Sequence, residues 1–204
     1  MIENKVFKLG FLASHNGSNM QAIIDACKDG TLNMTPAVVI SNNADSGALN
    51  RAMKEGIPNY HICSVQYPNP IDLDLAIKNT LINYSVDIVV LAGYMKMVGK
   101  ETLLAFAGRI LNIHPALLPK FGGKGMYGLN VHKAVLDSGE TETGVTVHIV
   151  DPKYDHGKIL SQIKVPVHLG DTPEVLQQRV LKKEHVIFVD TLKRIASGDI
   201  LLTK

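Results

Sequence analysis

Only two cysteines occur in 204 residues, Cys27 and Cys63, far apart and in no CxxC pair. A disulfide framework is excluded, and both thiols are expected to be reduced and buried as small apolar groups. Like charges never run five together and the formal net charge is +2 with histidine neutral. That leaves no electrostatic footprint for nucleic acid or for an anionic membrane surface. No apolar stretch approaches the roughly 18 residues needed to span a bilayer. Charges within Met1 to Lys8 interrupt what would have to be a leader's apolar region. Eight histidines invite a metal site. Yet His114, His132, His148, His156 and His168 form no HExxH and no closely spaced Cys and His set, so no metal is expected. The remaining class is a cytoplasmic protein of small-molecule ligands. It is expected as a single domain over residues 1–204, monomer or homodimer, with no nucleic-acid or membrane partner.

The first two thirds of the chain alternate strand-length apolar runs with helix-period segments, the pattern of a parallel sheet covered on both faces. Strands are predicted at Val6 to Ala13, Ala37 to Ser41, near Tyr60, Ile88 to Ala92 and Ile110 to Ile113. Helices are predicted at Asn19 to Lys28, Ala48 to Glu55, Ile71 to Tyr84, Lys100 to Phe106 and Val131 to Leu136. Gly30, Gly56 and Gly139 follow helical segments and are expected at positive φ. After Glu140 the pattern changes. Val145, Val147 and Ile149 alternate with Thr146 and His148, and Ile159 to Val167 gives a second extended stretch, as in an antiparallel pair closing the sheet. Thr172 to Ala196 is predicted as a closing helix, with Asp171 or Thr172 as N-cap and Pro173 in its first turn.

Ligands of open parallel sheets sit outside the carboxyl ends of the strands, near the reversal of strand order. Three features fall there: the loop Ser14 to Asn19, the loop Gly93 to Val98, and the stretch Asn112 to Pro119. In the last, an apolar strand stops at Asn112 and His114. Two residues apart on an extended strand, their side chains point to one side, where an amide donor and an imidazole can converge on a carbonyl oxygen. The first loop is neither GxGxxG nor a Walker-type P-loop. Its small residues at a helix N-terminus suit a single phosphate monoester, and an ordinary polar cap by Ser18 or Asn19 explains them equally well. Asp155 is either a solvated turn charge or, if the antiparallel pair brings it beside His114, a carboxylate that raises the histidine pKa and orients the ring. His148 is either a buried strand histidine or part of that group. Gly122, Gly123, Lys124 and Gly125 form a lid or a long surface turn.

These residues together resemble the phosphoribosylglycinamide formyltransferase family, the folate-dependent glycinamide ribonucleotide transformylases, over about Val6 to Glu184. The stretch Asn112 to Pro119 followed by Asp155 marks the wider formyltransferase superfamily, and the loop Gly17, Ser18, Asn19 marks the glycinamide ribonucleotide branch. The resemblance implies a Rossmann-like α/β formyltransferase fold with a mostly parallel sheet, helices on both faces and an antiparallel C-terminal strand pair. It also implies transfer of the formyl group of 10-formyltetrahydrofolate, a co-substrate, to the amine of glycinamide ribonucleotide in purine synthesis.

Carried over residue by residue, Asn112, His114 and Asp155 would be catalytic. Gly17, Ser18 and Asn19 would hold the ribose phosphate, with Pro115 and Glu184 along the same ligand. Met95, Lys96, Met97 and Val98 would line the folate pocket with Asn112, and the loop from Val150 and Asp151 to Asp155 would wrap the pterin. Three departures stand out. His15 replaces a usual glycine. Asn69 to Asp72 offer no arginine on the folate side. Val186 to Phe188 lack the usual Tyr and Pro. Rival readings are another folate-dependent formyltransferase or formyltetrahydrofolate hydrolase, which would need an added domain the chain is expected to lack, and a noncatalytic phosphate-binding module.

Overall fold

A computed structural model describes residues 6–202; of the stretch weighed above as a leader, residues 1–5 lie outside it. Seven strands form one sheet in the order β3-β2-β1-β4-β5-β6-β7. They are β1 (Phe7–Ala13), β2 (Met34–Ser41), β3 (Asn59–His61), β4 (Ile88–Leu91), β5 (Ile110–His114), β6 (Glu142–Ile149) and β7 (Ile159–Pro166). The first five are parallel, whereas β6 runs antiparallel to β5 and β7 to β6. Six helices cover the sheet: α1 (Ser18–Lys28), α2 (Gly47–Lys54), α3 (Pro70–Asn83), α4 (Lys100–Ala105), α5 (Leu129–Asp137) and α6 (Pro173–Ala196). Among the described residues, no helix is long and apolar enough to cross a membrane.

Near-continuous apolar strands arise because both faces of the parallel part are buried. In β1, Leu9, Phe11 and Ala13 join the core beneath α1, α2, α5 and α6, while Leu12 joins a second core with Ile77 and Leu81 of α3 and Phe106 after α4. β2 starts at Met34, earlier than Ala37. Pro36 does not end the strand, because the pairing with β1 shifts register between Leu9 and Gly10, opposite that proline, and the bulge accommodates its missing N–H. Gly30, Gly56 and Gly139 take positive φ of 80°, 68° and 70° as helix-ending residues. Thr172 is the N-cap of α6, its hydroxyl accepting from Val175 N at 3.3 Å. Cys63 is buried and Cys27 half-buried, both as free thiols, and burial pushes the Cys27 thiol up to about 11.

Strand order reverses between β1 and β4. There Ser14 N donates to Gly93 O at 3.1 Å, Met95 N donates to Ser14 Oγ at 2.8 Å, and that hydroxyl donates to Asn42 Oδ1 at 2.6 Å. One buried serine thus ties together the loops after β1, β2 and β4.

Candidate active site

β6 is half core and half site. Val145 and Val147 pack under α6 while Thr146 and His148 face the other way, and the register sets His148 opposite Asn112 and Thr146 opposite His114. Four polar side chains of two strands therefore share one face at the sheet's carboxyl end. The Thr146 hydroxyl donates to Ala116 O at 2.7 Å and accepts from Leu118 N at 3.0 Å, fastening the turn that follows His114. Asp155 arrives from the loop after β6, at a φ of 53°. Its Oδ2 stands 3.6 Å from His114 Nδ1 and its Oδ1 3.6 Å from His148 Nε2. Gly123 N donates to Asp155 Oδ2 at 2.9 Å. The glycine segment 122–125 thus touches the site at one end, and a Cβ on Gly122 would meet Leu118 Cδ2 at 2.6 Å and Asp155 Cβ at 3.2 Å.

Backbone carbonyls fix both imidazole tautomers, because a carbonyl can only accept. His114 Nε2 lies 2.8 Å from Phe121 O, so the ring proton sits on Nε2 and Nδ1 is turned toward Asp155. His148 Nδ1 donates to Ile149 O at 2.9 Å, leaving Nε2 to accept from Asn112 Nδ2 at 3.1 Å. That bond decides the Asn112 amide orientation and leaves its second N–H for another acceptor.

Asp155 raises the His114 pKa as expected, but burial acts on it more strongly. Burial, with His114 only 3% exposed, lowers it more than Asp155 and the Phe121 carbonyl raise it, so the net shift is down. Burial pushes the Asp155 carboxyl up, and His148 and His114 when protonated, with the Gly123 N–H, outweigh that and bring it below its usual value. Behind them His132 of α5 is 1% exposed with Nδ1 unpartnered. Burial and then the charge of His114 lower it to about 4.

Two strands away, the first loop resolves the choice left open by its sequence. Neither Ser18 nor Asn19 caps α1; Gly17 does, in the left-handed conformation at φ 68°, with no side-chain hydrogen bond at the cap. The first-turn N–H groups are thus not consumed by a side chain. Gly17 is also sterically required, since a Cβ there would meet Ala48 Cβ at 2.9 Å. Asn19 Nδ2 donates to Glu184 Oε2 at 2.6 Å, while Asn19 Oδ1 is buried without a partner. Burial raises the Glu184 carboxyl, and the Asn19 amide draws it back in part. His15 is exposed, so its bulk projects into solvent.

Remaining candidates are spread around these two centres. Lys96 and Met97 line a cleft of about 740 Å³ with Asn42, His61, Cys63 and Tyr94, a volume in the range of small-ligand sites. Its lining does not include Asn112, His114 or Asp155. A smaller cavity of about 250 Å³ borders Asp155 together with Pro119, Gly122 and Gly123. Met95 is held by Ser14 through its N–H, while Val98 and Val150 pack on the second core. Asp151 shapes the 150–155 loop by accepting from Lys153 N at 2.8 Å and from His156 Nδ1 at 3.0 Å. Pro115 is half-buried beside His114. Sequence reasoning missed Ser14, Thr146 and His132, whose roles depend on partners distant in the chain. For His148, the alternation of β6 was the available sign.

Residues 7–192 match the family model described as formyl transferase. The chain is 43% identical over 189 residues to the chloroplastic phosphoribosylglycinamide formyltransferase of Arabidopsis thaliana, covering 92% of this chain and 65% of that protein. It is 39% identical over 195 residues to the phosphoribosylglycinamide formyltransferase of Haemophilus influenzae, covering 96% of this chain and 90% of that protein. The crystal structure of glycinamide ribonucleotide transformylase 1 from Symbiobacterium toebii superposes with a TM-score of 0.91 at 40% identity, covering 97% of this chain and 91% of that one. The chain spans about two thirds of the plant relative's length.

Proposed function

The chain belongs to the formyl transferase family, and from that membership we propose that it transfers the formyl group of 10-formyltetrahydrofolate to the amine of phosphoribosylglycinamide. The reading makes it an enzyme of purine synthesis, cytoplasmic, metal-independent and specific for small molecules. The observation that carries it is a site in two parts at the carboxyl end of the parallel strands. An amide, an imidazole and a carboxylate gather at β5 and β6, and a helix N-terminus without a side-chain cap faces out from β1. The first part suits a carbonyl centre and the second an anion.

In the overall exchange a C–N bond forms to the attacking amine and the C–N bond to the folate nitrogen breaks, with one proton passing from the amine to that nitrogen. Asn112, its amide oriented by His148, donates its second N–H to the formyl oxygen. His114 accepts a proton at Nδ1, the atom that faces Asp155, and as imidazolium stabilises the charge building on that oxygen. Asp155, ionised in the free site, holds the imidazolium and takes up the amine proton through a water, while His114 gives its proton to the departing folate nitrogen and regains one from Asp155, so that in all one proton passes from the amine to that nitrogen. His148 is a positioning residue acting through Asn112 and Asp155. Gly17, Ser18 and Asn19 receive the phosphate on main-chain N–H groups, with Pro115 and Glu184 along the ligand. Met95 to Val98, Val150 and Asp151 take the folate.

The test is a spectrophotometric assay of folate deformylation with and without glycinamide ribonucleotide, and with initiator methionyl-tRNA in its place. Turnover that depends on glycinamide ribonucleotide alone supports the reading. Amine-independent hydrolysis would make the protein a deformylase, and phosphate binding without turnover would make it a noncatalytic module.

A further inference from the structure

The anion loop is held from below by α2. Ala48 N donates to His15 O at 3.0 Å. Gly47 lies so close that a Cβ on it would meet Asn16 Oδ1 at 2.9 Å and Asn16 Cα at 3.0 Å. One turn further along α2, Arg51 reaches back into the loop. Its Nε donates to Asn16 O at 2.9 Å, one terminal nitrogen to Asn16 Oδ1 at 3.3 Å and the other to Gln21 Oε1 at 3.5 Å. Gln21 is itself oriented by two carboxylates, donating to Asp25 Oδ1 at 2.8 Å and to Glu55 Oε1 at 2.9 Å. Every oxygen that Arg51 contacts is neutral, so these bonds use the rigid fork of the guanidinium without cancelling its charge. Burial, and after it the Arg51 charge, lowers the His185 pKa. Two polar atoms near by, Asn19 Oδ1 at the start of α1 and His185 Nε2 of α6, are buried and unpartnered.

We propose that Arg51 is the positioning residue for the substrate's phosphate. Its two-point grip on Asn16 fixes the turn before Gly17, so that the first N–H groups of α1 point outward together, and its uncancelled charge draws the anion to them. The inference rests on the proposed assignment of the first loop to a phosphate ester. It differs from that assignment in giving the decisive side chain to α2, 35 residues away in the chain.

The distinguishing measurement compares phosphoribosylglycinamide with its dephosphorylated nucleoside as formyl acceptors, in the full-length protein and in Arg51→Gln. Arg51→Gln is expected to raise KM for the phosphorylated acceptor by about tenfold to a hundredfold, the range of a lost charge-assisted contact. The kcat should fall far less, and KM for the nucleoside should hold. Inorganic phosphate, as a competitive inhibitor, should weaken in parallel. Gly47→Ala keeps Arg51 and displaces Asn16, so it should reproduce the same selective loss. That gives a second route if Arg51→Gln folds poorly. Equal losses for both acceptors, or no loss for either, would overturn the proposal. If the unaltered protein formylates neither acceptor, the functional reading falls. Arg51 is then judged by calorimetric binding of inorganic phosphate, weakened in both variants if the proposal holds and unchanged if it does not.

Discussion

At the end of β1 the first loop is a main-chain device, with Gly17 in a left-handed cap and no side-chain hydrogen bond at the cap. Two strands along, the corner where β5 meets β6 is a side-chain device. Asn112, His114, His148 and Asp155 are oriented by one another and by the carbonyls of Phe121 and Ile149. The difference fits the roles proposed for the two. A phosphate carries a fixed charge that static dipoles can meet, whereas a formyl oxygen gains charge only during reaction and calls for donors whose protonation can change. The loop should therefore tolerate exchange of the side chains that bind neither Arg51 nor Glu184 and reject added bulk. The corner should tolerate neither loss of a functional group nor a change in its charge.

The largest expected effect lies in the corner. Asn112→Ala and His114→Ala should each lower kcat by at least about a hundredfold, or about 3 kcal/mol per lost donor, with circular dichroism unchanged. Near-normal turnover in purified His114→Ala would erase the contrast. Asp155→Asn should cost somewhat less and leave a mark in the pH profile. Asp155 holds the His114 pKa up against burial, so its removal should move His114 protonation to lower pH. A rate profile with the same acidic limb would show that Asp155 does not tune the ring.

In the loop, Gly17→Ala should raise KM for the phosphorylated acceptor about tenfold, since a left-handed conformation costs a side chain on the order of 1–2 kcal/mol and Ala48 blocks the added Cβ. His132→Leu tests the layer behind the corner. His132 titrates near 6.5 in the unfolded chain and at about 4 when folded. As pH falls below 6.5 the unfolded chain takes the proton first, so stability drops between 6.5 and about 4. Thermal melts of His132→Leu should lose that portion of the slope. Ser18→Ala should change KM by no more than about threefold, the scale of an ordinary surface substitution. A large loss there would assign the phosphate to the hydroxyl and blur the contrast.

Much of this was legible in the chain. The two-residue spacing of Asn112 and His114 states that they share a face, because side-chain alternation is a property of the strand itself. The apolar runs of β1 and β4 announce a sheet buried on both faces, and the extended strands after Glu140 announce an antiparallel closure. Local rules misplaced the start of β2, where a bulge in the partner pairing absorbs Pro36. They also left Ser18 and Asn19 as cap candidates where Gly17 serves. His148 could be read either way until its register opposite Asn112 was known. The partners of Thr146 and Arg51 carried no sign, since each acts on a segment at least 28 residues distant.

The sequence by itself determined the elements and the chemical inventory, because periodicity, capping and strand alternation act over a few residues. Only the tertiary structure decided how those groups behave. Asp155 acquires two histidine neighbours because the loop after β6 brings it beside β5 and β6, and α1 begins at Gly17 with no side chain bonded at its cap, where Ala48 of α2 leaves no room for a Cβ. His114 ends with a lowered pKa although a carboxylate stands beside it, since loss of water around a buried ring depends on everything packed against it and outweighs the single charge.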